Sequence, residues 1–401
     1  MVRISLVLVA VSIPVSCMPA LPDVSAGSGQ AGSGAVGGGA CGSGSWQPGW
    51  FEIHHIDAAE AVSTLIVSPV GRSMLIDVGE AEWDSSTGAE TIGAYLRSVL
   101  GCARIDYVVI SHFHLDHAGF PGYGGLWHLV NGQGFSVGKL LHRDVDSFRG
   151  TSGSTLSAWQ NYLHSPAALA LQPEVARVGV GQVELGGGVA FAFVAVDGGG
   201  GLLPGDFSAD AAPPDENDYS IAALLRFGRL DYFTAGDLSG ETFVSNAGYS
   251  YHDLETRVAP RVKDVDVYRV SHHGSSHASN GTLVAELAPR VSIIQVGDGN
   301  GNGHPAQSTV DRLLAYSSLY LTEHGNADTD LGTGKVVGHV VIRTATGLDY
   351  SINGDPFEAS DPVRVDEDAD GYFREADPDD GVAAAVPASN GGCDVMYEAC
   401  R

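Results

Sequence analysis

The sequence predicts an α+β domain, with many short strands packed together and helices on the outside, that runs into an acidic tail. Hydrophobic residues make up 44% of the 401-residue chain and charged residues 17%, a globular balance with ample apolar surface for a core. Apolar runs of strand length recur between residues 51 and 352, punctuated by glycine and polar turns. Among them stand stretches whose apolar residues fall at helical spacing.

The first element lies outside that domain. Arg3 precedes the apolar run Ile4–Val11, too short for a permanent membrane span but long enough for an export signal, so residues 1–16 are expected to be a signal peptide. Val15-Ser16-Cys17 resembles the end of a bacterial lipobox, in which Cys17 would be lipidated, although Pro14 stands where leucine is usual. Residues 17–46, rich in Gly, Ser and Ala, read as a flexible tether with little apolar surface to offset ordering entropy. Residues 47–354 are then the folded domain and 355–401 the tail.

Within the domain, Phe51–Ile56, Ser63–Val67 and Ser73–Asp77 read as consecutive antiparallel strands. Ala89–Leu100 carries Ile92, Tyr95, Leu96, Val99 and Leu100 on one stripe and stops at Gly101, which predicts a helix. Ile105–Ile110, Val189–Val196, Ser220–Phe227, Leu230–Ala235 and Val265–Val270 follow as strands. Thr282–Leu287 and Ser308–Tyr316 read as short helices. Val336–Arg343 and Leu348–Ile352 suggest a closing hairpin around Thr346-Gly347.

The strand ending at Ile110 runs into Ser111-His112-Phe113-His114-Leu115-Asp116-His117. Side chains alternate along a strand, so His112 and His114 would share one side, with Asp116 and His117 on the turn that follows. Imidazole nitrogen with carboxylate oxygen is the donor set of zinc and similar borderline divalent metals. Cysteine is absent from the motif, so a thiolate site is not expected.

This stretch resembles the H-x-H-x-D-H signature of the metallo-β-lactamase-fold hydrolases. Leu75-Ile76-Asp77-Val78-Gly79 is similar to that family's early strand-end Asp motif, and Tyr232-Phe233-Thr234-Ala235-Gly236-Asp237 to the strand whose terminal aspartate bridges two metals. Val270-Ser271-His272-His273-Gly274-Ser275 resembles the last ligand motif in its HHGS form, found in the branch that holds the nuclease-like domain of the competence protein ComEC and bacterial phosphorylcholine esterases. The resemblance spans roughly residues 50 to 352 and implies a four-layer αβ/βα sandwich with metals at one sheet edge.

It also implies roles. His112 and His114 would hold a first metal, Asp116 and His117 a second, and Asp237 would bridge them. Of His272 and His273, one would coordinate and the other would touch substrate; spacing does not choose. His304, in Gly303-His304-Pro305, matches the Gly-His-Pro segment of ComEC-like domains and would contact substrate or donate a proton to the leaving group. Glu216-Asn217-Asp218-Tyr219-Ser220 resembles an Asn-x-x-Ser lead into the next strand of that branch, or is a plain capping turn. The first metal's usual third histidine is missing. His128, His142 and His164 lie in the interval without a convincing motif, so either Asp197 substitutes or the first metal is held by fewer ligands. The expected cofactor is zinc, with manganese as the alternative, as two ions or, with the third histidine missing, as an unequal pair or a single ion. The expected nucleophile is a metal-activated water, with Asp116, Asp237, His272 and His304 as the catalytic side chains.

Charge narrows the substrate. The chain carries −27, and residues 355–401 hold 13 acidic and 3 basic residues, so the body is acidic as well. That disfavours nucleic acid, whose binding depends on Lys and Arg neutralising phosphates. The HHGS form points to a phosphodiester or other phosphate ester, small or from the cell envelope. Lactone or β-lactam hydrolysis is the alternative, and a metal-binding surface protein without catalysis is a third reading. The expected location is outside the cytoplasm of a bacterium. It would be the periplasm or outer surface if Cys17 anchors the protein to a membrane, and the medium otherwise.

Apart from Cys17, Cys41, Cys102, Cys393 and Cys400 are an even number suited to disulfides in an oxidising compartment. Three pairings are open. Cys393 with Cys400 is the easiest short loop, and Cys41 with Cys102 would pin the tether to the domain. In the tail, Asp366-Glu367-Asp368-Ala369-Asp370-Gly371 matches the opening of a calcium loop, where Asp366, Asp368 and Asp370 would converge on one ion. The alternative is a solvated acidic tail.

Overall fold

The computed structural model describes residues 44–147, 153–198, 207 and 210–360. All lie in one of the chain's two units, Cys41–Arg401; the other, Met1–Ala40, falls outside them. The signal peptide, Cys17, Cys41, Cys393, Cys400 and the calcium motif at Asp366, Asp368 and Asp370 also lie outside the described residues. Cys102 is disulfide-bonded.

Two mixed sheets form the middle of the domain. The first runs in spatial order from Asp355–Glu358 through Asp349–Ile352, Val340–Thr344, Phe51–His55, Thr64–Val67, Ser73–Ile76, Arg104–Ile110 and Ser136–His142 to Pro173–Val175. The second runs from Lys335–Val336 through Ser318–Leu321, Val291–Ile294, Val267–Arg269, Leu230–Thr234, Ala222–Phe227 and Val189–Ala195 to Gly179–Val180. The hairpins are antiparallel. The central strands of each half, Ser73–Ile76 with Arg104–Ile110 and Leu230–Thr234 with Val267–Arg269, are parallel.

Alternation along these strands builds three cores. Ile66, Met74, Ile76 and Val109 meet Phe193, Leu225, Tyr232, Val267 and Ile293 between the sheets. Their neighbours Leu65, Val67, Leu75, Val108 and Ile110 face the other way and pack with Ile92, Leu96, Leu126 and Trp159 from covering helices. Leu224, Phe233, Tyr268 and Ile294 likewise pack with Val258, Leu283 and Val310 from helices on the far side. Because both faces of each sheet are covered, the strands read as continuous apolar runs rather than alternating ones. Helix, sheet, sheet, helix is the four-layer αβ/βα order.

The helix expected at Ala89–Leu100 runs from Thr87 to Leu100 and ends on Gly101 in the left-handed region. Its first turn is satisfied by the buried Glu80 carboxylate, which accepts from Gly88 N (2.8 Å) and Ala89 N (3.0 Å) and from Gly125 N (2.8 Å) at the next helix.

Both domain limits move outward. Ser45 N donates to Ser98 O (2.9 Å) and Trp46 N to Val99 O (3.2 Å), so the chain is already docked where a tether was expected. At the other end Asp355–Glu358 pairs with Asp349–Ile352, four residues into the expected tail, because Phe357 stacks on Tyr350. The expected strand Val336–Arg343 is two strands, Lys335–Val336 in one sheet and Val340–Thr344 in the other, separated by a turn at Gly338. Among the described residues no helix is long and apolar enough to cross a membrane.

Candidate metal centre

Every chemistry-bearing motif leaves the carboxyl end of a central strand, where loops from the two sheets meet. Asp77 follows Ser73–Ile76, the histidine motif follows Arg104–Ile110, Asp237 follows Leu230–Thr234, and His272 and His273 follow Val267–Arg269. This is the end of an open parallel sheet at which ligands bind.

Backbone geometry brings these loops into register. The segment 77–80 lies against the histidine turn, with Val78 N donating to His117 O (2.8 Å) and Glu80 N to Leu115 O (2.9 Å). A Cβ on Gly79 would lie 1.7 Å from Asp116 O, so only glycine allows this approach. Asp77, His272 and His273 all hold φ between +49° and +63°, which bulky residues adopt only where the surroundings enforce it. Arg269 donates to Gly236 O (2.7 Å) and lies 3.8 Å from Asp237 Oδ1, fixing the turn that presents that carboxylate.

Asp116, His117, Asp237 and His273 each offer one ligand atom, and these atoms lie within 4.8 Å of one another. The two imidazoles are held so that the same nitrogen of each faces inward. His117 Nδ1 lies 2.8 Å from Asp77 Oδ2, and His273 Nδ1 donates to Gln295 O (3.0 Å). Anchoring Nδ1 in this way leaves Nε2 as the free lone pair, the arrangement typical of metal-ligating histidine. His117 Nε2, His273 Nε2 and Asp237 Oδ1 are buried with no well-aligned hydrogen-bond partner, although His117 Nε2 stands 3.1 Å from Asp237 Oδ1 and His273 Nε2 3.2 Å from Asp116 Oδ2. Unpartnered buried atoms of this kind are costly unless a cation satisfies them. The donors therefore fit a divalent metal.

The electrostatics favour positive charge here. Burial opposes a charge on His117, yet the Asp237 and Asp77 carboxylates outweigh it and push its pKa up to about 10. Burial would raise Asp237 too, but His117, His272 and His273 hold it well below the usual carboxylate range.

The remaining residues are placed differently. His273, not His272, joins the cluster. His272 Nε2 lies 3.9 Å from Asp237 Oδ2 and 3.5 Å from Asn217 Nδ2, and its ring centroid is 5.2 Å from that of His304. Burial, with the neighbouring His272 and His273, pushes the His304 pKa down to about 3, so it faces the site as a neutral ring. His112 Nε2 and His114 Nδ1 stand 3.0 Å apart, aimed at each other, but among the described residues no three-ligand cluster forms around them.

Asp197 is elsewhere and accepts from Asp144 N (2.8 Å). His128, His142 and His164 interact with Glu90, Arg143 O and Asp146, respectively. Asn217, beside His272, has a buried and unpartnered Oδ1.

One pairing went unread in the sequence. Arg143 and Glu216 form a fully buried two-bond pair (2.7 and 2.6 Å), and Glu216 Oε1 also accepts from Phe113 N (3.0 Å) inside the histidine motif. Nothing local signals this pair, because its members are 73 residues apart.

No protein-family model matches the chain. A stretch of 116 residues is 30% identical to ComE operon protein 3 of Bacillus subtilis (strain 168); it spans 28% of this chain and 13% of that protein. Among solved structures, a metal-dependent hydrolase of the β-lactamase superfamily aligns over 66% of this chain and 93% of its own at 14% identity, with a TM-score of 0.39. A point mutant of CmlA β-hydroxylase aligns over 73% of this chain and 54% of its own at 13% identity, with a TM-score of 0.38. By its own layer order the chain has the four-layer αβ/βα architecture that its motifs imply, with the candidate ligand set at the sheet edge.

Proposed function

We propose that the protein is an exported metal-dependent hydrolase of phosphate esters, with phosphodiesters as the preferred class. The observation that carries the reading is the convergence of Asp116, His117, Asp237 and His273 with unpartnered buried donor atoms. Zinc suits this mixed nitrogen and oxygen set, and manganese is the alternative. A divalent ion there supplies Lewis acidity and lowers the pKa of water.

The protein's own part is positioning. Asp77 and Gln295 fix the two imidazoles, Arg269 fixes the Asp237 turn, and the carboxylates of Asp116 and Asp237 orient a water for attack. His272 and Asn217 offer nitrogen donors on the open side, where a non-bridging phosphoryl oxygen would sit. His304 lies behind them as a neutral ring, whose N–H would donate a hydrogen bond to the leaving oxygen. His112 and His114 are the remaining pair for a second, more weakly held ion.

Support for phosphorus over acyl chemistry comes from the HHGS form, which resembles that of nuclease-like and phosphorylcholine esterase domains. The acidic body favours a small ester over a nucleic acid polymer. Export is supported by the apolar N-terminus and by the disulfide at Cys102, which suits an oxidising compartment. The test is hydrolysis of bis-p-nitrophenyl phosphate against nitrocefin and an acyl-homoserine lactone, with metal content read by mass spectrometry. Brisk nitrocefin turnover with the diester untouched would overturn the phosphoester reading, and full activity after exhaustive chelation would overturn the metal. Membrane fractionation of a Cys17→Ser variant tests the anchor, and calorimetry of the full chain with Asp368→Ala tests calcium binding in the tail.

A further inference from the structure

A small hairpin, Phe243–Val244 paired with Ser250–Tyr251, rises beside the metal centre between the Asp237 turn and the His272–His273 turn. It belongs to neither large sheet, and the metal site does not need it. Its rings form a continuous stack. Phe243 lies 4.6 Å from Tyr251, centroid to centroid, with planes within 7°, and His277 lies 4.3 Å from Phe243 at 27°.

Both partner rings of Phe243 are tied down. The Tyr251 hydroxyl is hydrogen-bonded to Asp215, and His277 Nδ1 lies 2.7 Å from Glu241 Oε2. The hairpin itself is held to the preceding loop by Asp215 N donating to Ser250 O (2.9 Å) and Ser250 N donating to Pro213 O (2.9 Å).

A cavity of about 420 Å³ opens against this stack, lined by Phe243, Val244, Ser245, Tyr251 and His277, and bounded on the metal side by His272. That volume falls within the range of small-molecule sites. No lysine or arginine lines it. Val244, part of its lining, is an apolar side chain that is 62% exposed. A polyanionic strand leaving the metal centre by this route would meet no countercharge. A single flat, uncharged group would meet ring faces and aliphatic surface.

We propose that this cavity is the substrate-selecting subsite, and that it takes an aromatic group bonded directly to the ester centre under attack. The inference rests on the hydrolase reading above and deepens it. His272 joins the two places, since it stands 3.9 Å from Asp237 Oδ2 and also forms the cavity wall. A substrate whose reacting oxygen faces His272 and Asn217 therefore directs one substituent onto the Phe243 stack. The ring contributes through stacking and exclusion of water, which favours an aryl over a methyl substituent by about tenfold in kcat/KM.

The experiment uses zinc-loaded full-length protein and two substrate pairs that share a p-nitrophenolate leaving group. These are p-nitrophenyl phenylphosphonate against p-nitrophenyl methylphosphonate, and p-nitrophenyl benzoate against p-nitrophenyl acetate, each rate being divided by that of the uncatalysed hydrolysis. The readout is the aryl-to-methyl ratio of kcat/KM in wild type, Phe243→Ala and Val244→Glu. Val244 is exposed enough that its replacement does not threaten folding, and metal content and melting temperature are read alongside.

The wild-type ratio is expected to be about tenfold and to fall to within about twofold of unity in both variants. Turnover of either substrate class with no aryl preference, or a preference that survives both substitutions, overturns the subsite. If only the acyl pair is turned over and it shows the Phe243-dependent preference, the phosphoester reading falls and the subsite stands. If neither class is turned over by metal-loaded protein, both fall together.

Discussion

Replacing Asp77 with asparagine isolates what one buried oxygen does for the metal centre. Asp77 Oδ1 accepts from Ser111 N (2.7 Å), and Oδ2 accepts from Ser111 Oγ (2.8 Å) and faces His117 Nδ1 at 2.8 Å. Its φ of +63° is one that asparagine also tolerates, so the backbone has no reason to move. With the amide oxygen kept on Ser111 N, the new NH2 group points at Nδ1–H of His117, donor against donor. The imidazole relieves this only by moving its proton to Nε2, the nitrogen that faces Asp237 and the metal position. Loss of such an orienting partner lowers metal affinity by about ten- to a hundredfold, or about 1.4 to 2.7 kcal/mol. Zinc affinity measured by competition with a chromophoric chelator reads this directly, and the melting temperature of metal-free protein controls for folding. Wild-type zinc affinity in a normally folded Asp77→Asn protein would refute the reasoning, since Asp77 would then not be setting the tautomer.

Three further outcomes are expected. Asp237→Ala should lose both bound metal and most activity, because the carboxylate faces His117 on one side and His272 and His273 on the other; retained activity at normal metal content would contradict this, and both are read on the same preparation. Glu80→Ala should lower unfolding free energy by about 2–4 kcal/mol, since three buried N–H groups lose their acceptor; a denaturant melt shifted by less than about 1 kcal/mol would mean that water replaces the carboxylate. His55 is wholly buried, which pushes its pKa down to about 3, well below the unfolded value, so the unfolded chain takes up a proton that the native state refuses. Its contribution is therefore fully present above about pH 6.5 and fades as pH falls toward 3, by up to on the order of 4 kcal/mol. His55→Gln should flatten that part of the stability–pH curve relative to wild type, and parallel curves would show that His55 does not carry it.

The sequence was most readable where one short stretch contained its own explanation. Val108-Val109-Ile110 is apolar without alternation because Val109 faces the inter-sheet core while Val108 and Ile110 face helices, and the same strand delivers its histidines in line. Segments that depend on distant partners read less well. Glu255–Val262 is a helix although Pro260 falls inside it, and the proline is exposed, so water can replace the hydrogen bond it cannot donate. The strand Ser136–His142 contains Gly138 and Lys139, and earns its place by pairing in parallel with Arg104–Ile110 rather than by its own pattern. At the site, His272 and His273 are neighbours with the same strand end behind them. What separates them is a pair of consecutive left-handed residues, which turns one ring inward and the other outward, and no composition signals it.

The buried Arg143–Glu216 pair has a mechanical meaning. Glu216 grips Phe113 N in the first half of the chain and immediately precedes Asn217, which lines the rim in the second. The histidine turn and that rim are thus one rigid part, joined by a carboxylate with no exposure to water. Breaking the pair by removing one partner would strand a buried charge, and the damage would be felt in both halves of the mouth at once. Variation in what the site accepts is therefore expected on the hairpin side, at Phe243 and Val244, where the wall can change shape without pulling on the proposed ligands.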